Sequence, residues 1–349
     1  MLRNSRSARR YFRLAYICLL AGMPIVAPCA GQTSPYSVVV VEEMLGRVTI
    51  LNSDDPARRV SVAVGFKPHE VVVSPDGKTA FVSDFGLNDA DNRDGIAGEA
   101  VMAVDIPSAT VRLELRLPNQ LKAPHGLGIR PRHGAELFTN AEQGDEMVVF
   151  DGDNGHVKRT FPLPAGVHNF IFSKTGAQIF AFAPGGVIYC LDADSGKIQA
   201  TRDLGSPVRG LAWTGDERYL LASVRGGVAM LDKESFSTVR DLALPSTTQP
   251  FYSAATPDSR LILVPAVFDG EVTVFDARSG AMIRRLRTGT PLRVVMSPDP
   301  DLAYVANVSP RGEEVSVIHL TSLEITHILG LRDVNGLAFS PILPTALRN

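Results

Sequence analysis

The chain has 349 residues, of which 45% are apolar and 21% charged, with 30 Gly, 24 Pro, 3 Cys and a formal charge of -2. That length fits two ordinary domains or one large closed all-β body, and Gly and Pro at this level without a collagen-like period exclude a fibrous or disordered chain. The charge gives no general attraction to a phosphate backbone, so a nucleic-acid partner is not expected.

Residues 1–30 read as a secretory signal peptide. Arg3, Arg6, Arg9, Arg10 and Arg13 form a basic leader, Leu14 to Pro28 is mainly apolar, and small residues follow near Ala27 and Ala30. Arg9-Arg10-Tyr11-Phe12 resembles the core of a twin-arginine signal, although Ala8, Arg13 and Leu14 depart from it. The expected destination is periplasmic or secreted, with no membrane span in the mature chain. Removing the five leader arginines leaves 30 basic against 37 acidic side chains, a formal charge of -7. Cys18 and Cys29 leave as well, so the mature chain cannot form an internal disulfide. Cys190, inside the strand pattern Val187-Ile188-Tyr189-Cys190-Leu191, reads as a buried thiol.

The rest, residues 31–349, reads as one repeat domain. Pro68-His69-Glu70-Val71-Val72-Val73-Ser74-Pro75-Asp76-Gly77 gives an apolar strand and a tight turn, and Thr79 to Ser83 a second strand. The unit returns in degraded form around Ser173, Thr256 and Ser297. Aligned on Ser74, the residue five places earlier is His69, His125, His168, Arg209, Phe251, Leu292 and Asn335, at separations of 56, 43, 41, 42, 41 and 43. Seven all-β copies of about 42 residues fit a seven-bladed β-propeller of four-stranded antiparallel blades. Innermost strands are expected from Val71, Leu127, Phe170, Leu211, Ser253, Val294 and Leu337. The last copy has only this strand, while Ser37–Glu42, Arg47–Leu51 and Arg59–Val64 supply three at the front. One blade should therefore be stitched from both termini, which removes the open edge.

The first full repeat carries an insertion, Asp84 to Ala100, which accounts for the 56-residue step. It holds Asp89, Asp91 and Asp94 before Gly95, but with Gly95 as the sixth position the first would be Ala90. A solvated acidic loop, a non-standard calcium clip and a partner-docking lid all remain open.

Three consecutive copies place His in the same column. His69, His125 and His168 should line one mouth of the channel, with Arg209 and Asn335 in the same column. Glu70, Asn169, Tyr252 and Arg293 stand beside it, and Phe251 within it. Neutral imidazoles suit a divalent metal, and they also suit general acid or base work near neutral pH. Locally hydrogen-bonded structural His, a polar binding funnel and a metal site all remain readings of this column. Neighbouring inner strands are expected to spread the rings around a wide opening. A funnel with His and Arg on one side and aromatics on the other would suit a small anionic ligand. No cofactor is required by any motif, and a divalent metal is compatible with the column.

The stretch Val64 to Ser83 and the weaker copy from Gly289 to Asn307 resemble repeats of the YVTN (YncE-like) seven-bladed propeller family, as do the Val-Thr-Val-Phe-Asp strands with their following Gly turns. More distantly, the chain is similar to lactonase-type and d1-haem-type propellers. WD40-like repeats match less well, since their Gly-His and Trp-Asp marks are missing. The resemblance implies an extracytoplasmic propeller acting at its channel mouth. Two functions follow as expectations. One is a binding or scaffold protein for a small ligand or protein partner. The other is a lactonase- or lyase-type enzyme using His69, His125, His168 and Arg209, with or without metal. No motif decides whether the chain is an enzyme.

Overall fold

The computed structural model describes residues 34–88, 94–183, 185–308 and 315–348. The leader, Asp89 and Asp91 lie outside the described residues. Among those described, 28 strands form seven four-stranded antiparallel sheets, in agreement with the repeat count. No helix among them is long and apolar enough to cross a membrane.

Each sheet is a blade. Blade 1 carries Val334–Ser340 innermost, followed outward by Ser37–Glu42, Arg47–Asn52 and Arg59–Ala63. Val38 pairs with Phe339 and Val40 with Leu337, so the two termini are joined through a sheet ladder. In blades 2 to 7 the innermost strands are Pro68–Val73, Lys122–Ile129, Asn169–Phe172, Leu211–Trp213, Ala254–Ala255 and Pro291–Met296.

Burial explains the order. Middle strands are apolar on both faces because each blade is sandwiched between two others; Ser37–Glu42 is buried at every residue. Outer strands are wet, as in Ile198–Asp203 and Met282–Arg287. Seven apolar clusters fill the seven blade interfaces, and the one joining Val38, Val40 and Leu337 to Tyr304 and Val317 closes the ring between blades 7 and 1.

The inner hairpins are locked by short polar side chains. Ser74 Oγ donates to Asp76 Oδ1 (2.6 Å), which also accepts the Lys78 N–H (3.0 Å), and Gly77 takes a φ of 75°. Thr214 with Asp216 and Thr256 with Asp258 repeat the lock. In five of the seven blades the third strand ends in an Asp that takes the N–H three residues on, as Asp192 does from Ser195 (2.9 Å) and Asp276 from Ser279 (2.7 Å).

The inner strands depart from the expected bounds in an informative way. In blades 1, 2, 3 and 7 they begin earlier than predicted, because the register shifts by one residue at the aligned column. Such β-bulges place an extra residue on one strand and turn its side chain away from the regular alternation. Pro68, Pro124 and Pro291, each at or just before the shift, suit a position where ladder bonds are interrupted. A strict period-2 reading cannot anticipate this.

Candidate functional site

Two sets of side chains arise from the column. The aligned His69, His125 and His168 turn into the blade interfaces, while Glu70, Asn169, Tyr252 and Arg293, each following an aligned residue, reach the axis. None of the three column histidines lines the axial cavity, whereas Glu70, Asn169, Tyr252 and Arg293 do.

The histidines stack. Ring centroids lie 4.3 Å apart for His69 and His125 and 4.2 Å apart for His125 and His168, tilted by 44° and 32°. Phe85 packs edge-on at 4.6 Å from His125 and 5.6 Å from His69, and Phe182 at 5.8 Å from His168. His69 and His125 are fully buried and His168 nearly so. The expectation of a wide opening with the rings spread around it is thus corrected. The rings turn sideways into blades 2 to 4, where they form one row, and in blades 2 and 3 a bulge lies at the turn.

Hydrogen bonds orient that row. His125 Nδ1 lies 2.7 Å from the His168 carbonyl, and His168 Nδ1 lies 2.8 Å from Glu142 Oε1. The same oxygen is 3.4 Å from His125 Nδ1. The His168 carbonyl beside it makes Nδ1 the protonated nitrogen of His125, which leaves the lone pair of that ring on Nε2. The His168 carbonyl is itself held by Asn140 Nδ2 (3.1 Å), whose Oδ1 accepts the Gly126 N–H (2.8 Å).

Glu142 was missed by sequence reasoning. It lies near the end of Glu136–Gln143, the second strand of blade 3, which pairs with the inner strand carrying His125. Antiparallel pairing puts the end of a second strand beside the start of the first, so a carboxylate there was the available signal. One ligand atom each from His125, Glu142 and His168 lies within 4.8 Å of the others. Two metal–ligand bonds of about 2.0–2.2 Å span at most about 4.4 Å, so small side-chain adjustments gather these atoms around one ion.

The second set forms a closed ring across the axis. Arg293 Nη2 donates to Glu70 Oε1, and Asn169 Nδ2 donates to the same oxygen (2.8 Å) and reaches Tyr252 Oη (3.3 Å). The Arg293 guanidinium lies 4.1 Å from the centre of the Tyr252 ring. A parallel bridge between Tyr252 and Arg293 fixes that stack from the backbone. Burial pushes the Glu70 carboxyl up, but Arg293, with His69 and His125, outweighs it and holds the group below the ordinary carboxylate range. His69 Nδ1 lies 3.9 Å from Glu70 Oε1, so the histidine row and the axial ring are neighbours.

Other predicted residues fall outside both sets. Arg209 is half-buried and its side chain makes no hydrogen bond or ion pair among the described residues; its backbone N–H meets Ser223 O (2.9 Å). Phe251 packs edge-on against Phe268 at 6.4 Å. Asn335 Nδ2 donates to Glu43 Oε2 (2.7 Å), a contact within blade 1. In the insertion, Asp84 accepts the Phe66 N–H (2.8 Å), and Asp94 O accepts from Asn88 N (2.9 Å). Phe85 and Leu87 from this segment form an apolar cap with Ala123 beside the histidines. Cys190 is buried, and burial pushes its thiol up to about 11, which disfavours the thiolate.

The class these features define is a seven-bladed β-propeller with a buried His/Glu cluster beside a polar axial ring. No protein-family model matches the sequence, and no curated protein does. Among solved structures the chain is similar to one described as Kuenenia stuttgartiensis hydrazine synthase, at 18% identity and a TM-score of 0.66, over 91% of this chain and 100% of that one. At that identity the likeness concerns the fold.

Proposed function

We propose that the chain is a metal-dependent enzyme of lactonase or lyase type whose ion is held by His125, His168 and Glu142. The observation that carries this reading is the convergence of two buried imidazoles and one carboxylate within 4.8 Å. Two His and one Glu are a ligand set that leaves a position on Zn²⁺ or a similar ion for water or substrate. A divalent ion bound there would supply an acidified water and polarise a carbonyl. The residues of this chain orient it: the Asn140-held carbonyl of His168 fixes the His125 ring, and Phe85 and Leu87 shield the row from solvent. The repeat at Val64 to Ser83 supports descent from the YVTN-type propellers, and the leader supports export to the periplasm or beyond.

Protein prepared without chelator should carry about one transition-metal ion per chain by elemental analysis, and His125→Ala and His168→Ala should both lose it. A panel of lactones should then reveal turnover that chelator abolishes. Metal-free protein that also fails to take up Zn²⁺ or Co²⁺ would sink the metal reading. Turnover indifferent to chelator would sink the metal dependence, and no turnover across the panel would sink the enzymatic reading.

A further inference from the structure

The axial ring closes over a cavity of about 190 Å³. Its polar end is Glu70, Asn169, Tyr252 and Arg293, and its walls include Val72, Leu127, Ile171, Leu211, Val294 and Val295. Three of the seven blades place Gly at the axial position, namely Gly126, Gly210 and Gly336. A Cβ on Gly126 would stand 2.5 Å from Asn169 Oδ1, and one on Gly336 would stand 2.6 Å from His69 O. Four side chains thus form the polar end of one chamber that is aliphatic along its sides, and the glycines let neighbouring inner strands approach closely around it.

The geometry points to this chamber as a second binding site, separate from the histidine centre, for a small neutral molecule with an amide-like head and a short aliphatic tail. Glu70 and Arg293 cancel each other, so the ring has no net charge to offer an ion. A carboxylate or an ammonium would enter a buried site without its own counter-charge, at a cost that such a small tail cannot offset. The ring does present an acid oxygen beside N–H and O–H donors, which matches a head that both donates and accepts. The volume equals about six waters at their liquid share of about 30 Å³, enough for a tail of four or five carbons. This replaces the small anionic ligand expected of a funnel with His and Arg on one side and aromatics on the other.

The test uses the mature chain with pentanamide, pentanoate and pentylamine as probes, followed by saturation-transfer NMR. Pentanamide is expected to bind in the millimolar range, at least about tenfold tighter than either charged analogue. Val294→Phe and Leu127→Phe, which fill the chamber, should each abolish the signal, and two variants guard against one that misfolds. Chelator should leave binding intact, which separates this site from the metal centre. Absence of pentanamide binding, equal or tighter pentanoate binding, or binding indifferent to both Phe variants in folded protein would each overturn the assignment.

Discussion

Glu70 and Arg293, 223 residues apart in sequence, form a buried ion pair that links blade 2 to blade 7 beside the axis. The pair couples blades that flank the closing blade without belonging to it. Glu70 is 4% exposed, and the Arg293 side chain 17%.

Removing one member should therefore do more harm than removing both. Arg293→Met leaves a buried carboxylate without its main counter-charge and should cost about 3–5 kcal/mol. Glu70→Gln combined with Arg293→Met should recover at least half of that loss. Urea unfolding at pH 7 measures the cycle. A double variant as unstable as the sum of the singles would show that the pair acts independently.

Asn140 is the support to perturb without touching a proposed ligand. It is fully buried, and it holds the Val167 and His168 carbonyls (3.1 Å each) and the Gly126 N–H (2.8 Å). Asn140→Ala should weaken Zn²⁺ or Co²⁺ binding about 10–100-fold by freeing the carbonyl that orients His125. Competition against a chromophoric chelator reads the change. Unaltered affinity would mean that the orientation of His125 does not depend on Asn140.

The sequence carried the blade count because the repeat is a packing unit. Every blade needs an apolar face on each side, and the Ser-Pro-Asp-Gly type of turn marks where an inner hairpin must reverse. The closure was legible for the same reason, since Leu337 to Ser340 had no partner strand after it. The site was half legible. His69, His125 and His168 share a column, and the column does bring them together, but the direction of the His69 and His125 rings depends on bulges that leave no period in the sequence. Glu142 lies outside the column because it comes from the second strand. Arg293 reads from the sequence as a rim cation beside the His column, in a funnel suited to a small anion; its neutralisation by Glu70 arises only when the ring closes.

Glu136 provides the clearest pH dependence. Lys158 (2.8 Å), Arg159 (2.9 Å) and Arg130 (3.2 Å) surround its buried carboxylate. Burial alone would raise its pKa, but these three cations bring it from 4.5 down to about 2. The folded value lies below the unfolded one, so the native state gains stability above about 4.5 that is lost as pH falls toward 2. Glu136→Gln should be less stable at pH 7, and its deficit should shrink between pH 5 and pH 2. Thermal melts across that range would contradict the assignment if the two curves stay parallel.

The closing blade gives the largest expected effect. Removing residues 335–349 strips the innermost strand from blade 1 and leaves Ser37–Glu42, buried at every residue, with an open edge. Val38, Val40 and Leu337 are all buried in the cluster between blades 7 and 1, together with Tyr304 and Val317. The cut deletes Leu337 and uncovers the other apolar side chains. At about 1.5–3 kcal/mol for each large apolar side chain, four of them amount to about 6–12 kcal/mol. That is comparable to the whole stability of an ordinary domain, about 5–15 kcal/mol. An exposed apolar edge strand also invites pairing between molecules. The truncated chain is therefore expected to accumulate as insoluble protein, while removal of Arg348 and Asn349 alone should leave the melting temperature within a few degrees. Soluble truncated protein with a cooperative melt near that of the full chain would mean that the ring does not depend on its C-terminal strand.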